Sequence, residues 1–130
     1  IKENQEDLND TSIVLKLTYK NISILFTGDI TSNTEKELLN KNIESTVLKV
    51  AHHGSKYSNS AQFLRKVNPS FAVISCGNNN EYGHPHQVVL EKLEKMNTKI
   101  YRTDLLGTII LESDGESINF KNINTDTDGG

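Results

Sequence analysis

The hydrophobic pattern changes period several times along the chain, and each change marks an element. From Ile13, "SIVLKLTYK" alternates, placing Ile13, Leu15, Leu17 and Tyr19 on one face, which is the period of a β-strand. A short turn at Asn21 leads into "ISILFT", a second strand, and so short a link predicts an antiparallel hairpin. That strand stops at Gly28–Asp29. "TSNTEKELLNKN" then carries helix signals: a Ser/Thr/Asn start, early glutamate, then Leu38 and Leu39. "STVLKVA" is a third strand. Ser58 to Val67 predicts a helix with Phe63, Leu64 and Val67 inward, stopped before Pro69. "FAVISC" is a nearly unbroken apolar run, as in a strand covered on both faces. "GNNNEYGHPH" reads as a loop, and Pro85 in a first turn followed by "HQVVLEKLEKM" reads as a helix. "KIYRT", "GTIILES" and "ESINFKN" are short strands, the last two joined across Asp114–Gly115, a strong hairpin signal.

Strands alternating with helices predict a layered α/β domain. No internal repeat or linker interrupts it. The polar ends, residues 1–8 and 122–130, read as a loop and a flexible tail. At 130 residues the chain fits one domain, and 35% hydrophobic residues suffice for a core. A net charge of -3 argues against a strong nonspecific hold on nucleic acid through bulk charge, though not against a local basic groove. The single cysteine, Cys76, excludes an internal disulfide and a multi-cysteine zinc site, and reads as a small buried residue. No apolar run is long enough for a membrane helix.

The candidate chemistry lies just beyond the C-terminal ends of the predicted strands: Gly28–Asp29, "HHGS" at 52–55 and "GHPH" at 83–86. All 4 histidines fall in the last two motifs. Loops at one edge of an α/β sheet converge on a common point. Imidazole suits borderline metals such as zinc, and carboxylate adds charge suited also to manganese or magnesium. Together they are a usual way to build a hydrolytic metal site. Each piece also has a bland reading. Asp29 could cap a helix, His84 could be an N-terminal cap, and His86 a solvated first-turn residue. Ser55 and Ser58 could be capping hydroxyls, a role that suits Ser58 better. Lys49 and Arg65 read as solvated surface charge. It is their joint placement that resists dismissal.

"NDTSIVLKLTYKNISILFTGDI", "LKVAHHGSKYSNSAQFL", "NPSFAVISCGNNNEYGHPHQVVLEKL" and "IYRTDLLGTI" together resemble the metallo-β-lactamase-fold domain of ComEC-type competence proteins, which move DNA through the inner membrane during transformation. The resemblance covers residues 9 to 111. It implies the second half of a four-layer αββα sandwich, over residues 9–121, carrying part of a site for two divalent ions, zinc or manganese. It further implies metal-dependent nuclease or phosphodiesterase chemistry on DNA. By position, Asp29 matches the aspartate that bridges both metals, His84 matches a late histidine ligand, and His52, His53 and Ser55 match the loop at the site rim. Which of His52 and His53 faces the metals stays open, and Ser55 is expected to aim at a phosphate. Lys56 and Arg102 are candidates for holding a phosphate backbone.

The resemblance also carries a departure. The fold's first half normally supplies an H-x-H-x-D-H cluster and a further histidine, and this chain has neither. It is therefore expected to be a C-terminal fragment with an incomplete metal site. Its parent would sit in the cell membrane with this domain soluble, on a side the sequence does not give. The expected partners are DNA, the missing half of the domain, the parent's channel domain, and a second copy of the fragment, since "SIVLKLTYKNISILF" would leave an apolar face uncovered. The competing readings are a non-catalytic assembly module of the uptake channel and a hydrolase acting on a small phosphoester.

Overall fold

A computed structural model of the protein describes residues 14–77 and 84–122, with the side chains of His52 and Asn122 left aside. Residues 1–8, the tail beyond Asn122 and most of the "GNNNEYG" loop lie outside the described residues. Two strands, β1 (Leu15–Tyr19) and β2 (Ile22–Phe26), form the hairpin that the alternation predicts, with Tyr19 opposite Ile22. A helix, α1 (Ser32–Leu38), leads to β3 (Val47–Lys49), and α2 (Ala61–Val67) leads to β4 (Phe71–Ile74). Then α3 (Gln87–Lys95) leads to β5 (Lys99–Arg102). These strands make one mixed sheet in the order β1-β2-β3-β4-β5, in which β2 to β5 run parallel. A short helix, α4 (Thr103–Leu106), precedes a separate hairpin of β6 (Ile109–Ser113) and β7 (Ile118–Asn122).

Register decides which side of the sheet holds the core. Leu25, Leu48 and Ala72 sit side by side across β2, β3 and β4, and all are fully buried. Phe63, Leu64 and Val67 of α2 and Val89, Leu90 and Leu93 of α3 pack against that side. Burying each such side chain contributes roughly 1.5–3 kcal/mol, so this helix-covered face supplies most of the stability. The other face carries Leu17, Ile24, Val47 and Phe71 in one row, and Leu15, Phe26, Lys49, Val73 and Tyr101 in the next. The β6–β7 hairpin covers part of it: the Phe120 ring stacks on Tyr101 at 4.0 Å between centroids and meets Phe71 at 5.2 Å. Leu15 (57%), Leu17 (54%) and Tyr19 (51%) remain exposed on the same face.

Several boundaries differ from the sequence expectation, each for a local reason. The third strand stops at Lys49 because His53 and Gly54 take positive φ (55° and 83°) in a tight 3-10 turn over Ala51–Gly54. The second helix starts at Ala61, not Ser58. Asn59 is left-handed (φ 63°), and Ser60 is the cap, its hydroxyl accepting from the Phe63 amide at 3.2 Å. Ser58, expected to cap, instead donates to the Ile30 carbonyl at 2.6 Å. Pro85 lies before α3 rather than in its first turn, and its peptide bond with His84 is cis. Helix α4 was not expected, since four residues are too few to show a period. No helix among the described residues is long and apolar enough to cross a membrane.

Candidate metal and phosphate site at the strand ends

Because β2, β3 and β4 run parallel, their C-terminal ends open on one edge. There Asp29, the "HHGS" turn and His84–His86 surround a cavity of about 540 Å³, lined by Asp29, His53, Ser55, Lys56, Tyr57, His84 and His86. Asp29 lies in the turn after β2 and does not cap α1, whose N-cap is Thr31. The 3-10 turn follows β3 directly, and His53 is held by a 2.6 Å hydrogen bond between its Nδ1 and the Ser75 carbonyl beyond β4. A carbonyl can only accept, so Nδ1 carries the proton, and the neutral ring keeps its lone pair on Nε2. That is the orientation found in metal-ligating histidines, whose other nitrogen is tied to a carbonyl or carboxylate. The His84 ring lies 6.3 Å from His53, nearly parallel to it, and 4.8 Å from His86, edge to face.

The two histidine motifs are fastened to each other through backbone. The His86 amide donates to the Gly54 carbonyl at 3.0 Å, and the Lys56 amide donates to His86 Nδ1 at 2.8 Å. A Cβ on Gly54 would lie 2.6 Å from the Pro85 Cβ, so only glycine permits this approach. Ser55 is buried, and its hydroxyl accepts from the Tyr57 amide at 3.1 Å, which shapes the rim.

Behind the rim is a polar network that sequence reasoning missed. Asn59 is fully buried. It accepts from the Ala51 amide at 3.3 Å and donates to the carbonyls of Ala51 and Ser55, both at 3.0 Å. Glu35 of α1 accepts from the amides of Asn59 and, at 3.0 Å, Ser60, while Lys92 of α3 donates to the Asn59 carbonyl at 3.2 Å. Burial raises the Glu35 carboxyl above its usual range, against the opposing pull of the Ser60 and Asn59 amides and Lys92. A raised folded-state value means the folded chain holds this proton longer than the unfolded chain. The stability it contributes therefore falls as pH climbs past the usual carboxylate range. Glu35→Gln is expected to cost about 1–3 kcal/mol at neutral pH, because its NH₂ must face a backbone N–H. It should also remove this part of the pH slope, which urea denaturation at mildly acidic and neutral pH would read. Identical slopes in the two proteins would contradict the assignment.

Two basic residues differ from expectation. Arg102 does not line the cavity. Its guanidinium makes a two-pronged pair with Asp104, at 2.7 and 3.0 Å, which lowers the Asp104 carboxyl and raises Arg102. Lys49 is not a solvated surface charge but half-buried; burial lowers its ammonium value, and Asp29 opposes that. Arg65 is exposed, as expected. Of His52, only the place in the 3-10 turn is described. Among the described residues, no three His, Cys, Asp or Glu side chains converge closely enough to hold a metal ion as a group. The donor chemistry of Asp29, His53 and His84 fits a metal. These residues would supply part of a coordination shell.

No protein-family profile matches the chain. Over 103 residues, 78% of the chain, it is 44% identical to "ComE operon protein 3" of Bacillus subtilis. Over 111 residues, 83% of the chain, it is 38% identical to "Competence protein ComA" of Neisseria gonorrhoeae. Over 101 residues, 78% of the chain, it is 34% identical to "Recombination protein 2" of Haemophilus influenzae. The chain spans only 13%, 16% and 13% of the length of these relatives. These likenesses support a place for the chain in a competence-protein family, as the counterpart of one short segment of much longer proteins.

Proposed function

We propose that the chain is the second half of a metallo-β-lactamase-type αββα domain, and that it supplies part of a metal-dependent site for cleaving DNA phosphodiesters during DNA uptake. One observation carries the reading. Asp29, His53 and His84, from the ends of three successive parallel strands, line one cavity, and His53 is tied through Nδ1 so that Nε2 can ligate. The uncovered apolar face of β1 and β2 supports the second half of the claim. It has the composition of a sheet face that meets another sheet. The missing half of the domain is the partner we assign to it.

In this reading Asp29 and His84 hold divalent ions, zinc or manganese, with His53 beside them. When bound, such ions activate water and stabilise the leaving oxygen. The chain's own residues orient the substrate. Lys56 offers an exposed ammonium to the phosphate backbone, and Ser55 keeps the rim in shape. Arg102, committed to Asp104, has no part in it.

The test is cleavage of labelled DNA by the chain expressed with its flanking coding sequence. Manganese-supported cleavage, lost with chelator and with His84→Ala, is expected. Cleavage insensitive to chelator, or none with any divalent metal, would refute the reading. A companion result concerns the 130-residue chain alone, which should leave the same DNA essentially uncut. Too few ligands hold ions weakly. Vigorous manganese-dependent cutting by it, abolished in Asp29→Ala, would show the site to be self-sufficient.

A further inference from the structure

We propose that His86, with Lys56 and Tyr57, forms a subsite for one phosphate oxygen of the substrate, in which His86 donates from Nε2. From sequence, His86 reads as a solvated first-turn residue of α3. In the structure it is half-buried on the cavity wall. It stands at the N-cap position of α3, yet its side chain makes no capping bond. Its Nδ1 instead accepts from the Lys56 amide at 2.8 Å. A backbone amide can only donate, so Nδ1 holds the lone pair and the neutral ring carries its proton on Nε2.

His53, on the same cavity, is fixed in the opposite sense. Its Nδ1 meets the Ser75 carbonyl and must carry the proton. Two imidazoles a few residues apart in space are thus set to opposite tasks by their backbone partners. His53 presents a lone pair, which suits a cation. His86 presents an N–H, which suits an anion. The surroundings of His86 agree with that assignment. The Lys56 ammonium is exposed and lies 5.5 Å over the Tyr57 ring, and Tyr57 itself is 71% exposed beside the His86 ring. An ammonium, a phenol hydroxyl and an imidazole N–H together make a donor set for a phosphate oxygen. The same backbone bond that sets the His86 proton also fixes Lys56 next to it.

This inference rests on reading the cavity as a phosphodiester site, but its test needs neither metal nor cleavage. The full 130-residue chain, in chelator, is titrated with fluorescein-labelled oligothymidylate and followed by anisotropy. Asparagine places its carbonyl oxygen near the Nδ1 position, and glutamine places its amide near Nε2. His86→Gln should therefore bind within about threefold of the parent, while His86→Asn should lose about tenfold or more, the worth of a hydrogen bond to a charged group. Retention by asparagine and loss by glutamine would assign His86 only to holding the Lys56 backbone, and would overturn the proposal. So would equal binding by both variants and the parent, or no binding by the parent. None of these results touches the cleavage test above. Imidazole ¹⁵N spectra of the unliganded chain give a second reading: an unprotonated Nδ1 in His86 against an unprotonated Nε2 in His53. The same tautomer in both rings would also overturn it.

Discussion

Asp29→Asn, made in the protein with its flanking sequence, should lower metal-dependent DNA cleavage by on the order of 10²-fold or more, since losses of 10- to 100-fold follow even when only the outer supporting partners of a metal site are removed. The substitution is nearly isosteric. Its effect should be chemical rather than structural, because Asp29 sits half-exposed in a turn and leaves the capping of α1 to Thr31. A carboxylate can neutralise two cations, whereas an amide offers a neutral oxygen to one. The expected signature is a loss of activity and of bound metal, with stability changed by less than about 0.5 kcal/mol, as for a surface position. Near-normal turnover and metal content would reduce Asp29 to a turn residue.

Gly54→Ala should do the reverse, acting first on structure. At φ +83° a side chain is strained wherever it points, and here the added Cβ would meet Pro85 Cβ at 2.6 Å and Cα at 3.0 Å. The backbone penalty is roughly 1–2 kcal/mol. Crowding in a packed spot adds about 1–3 kcal/mol. Relief requires the His84–His86 segment to move off the 3-10 turn, which breaks the bond between the His86 amide and Gly54 O and pulls His84 away from His53. Urea unfolding should show the stability loss, and amide exchange at His86 should rise sharply. A variant with the parent's midpoint and a protected His86 amide would show that the two motifs are not held together through Gly54.

What the sequence made legible was the periodic part of the molecule. The β1–β2 and β6–β7 hairpins, the inward Phe63, Leu64 and Val67, and α3 follow from alternation, turn residues and helical spacing, all of which are local. The gathering of Asp29, the "HHGS" turn and His84 at one edge was also readable, because parallel strands put their following loops together. The rest depends on partners distant in the chain. Asn59 looked like part of a helix start because its hydrogen bonds to Ala51 and Ser55, and the carboxylate of Glu35 across the fold, leave no periodic trace. Arg102 looked free because the two-residue step to Asp104 does not show that their side chains meet. His86 looked solvated because nothing local announces that the Lys56 amide would turn to meet it.

The network around Asn59 has a genetic consequence. Its anchors belong to α1 and α3, elements that do not border the cavity, yet they set the path of the loop that does. A selection for loss of function would therefore recover lesions at Glu35 and Lys92 beside those at Asp29 and His84. Suppressors of the first group should be sought among neighbouring helix residues that restore the loop, whereas no distant suppressor should restore a lost ligand.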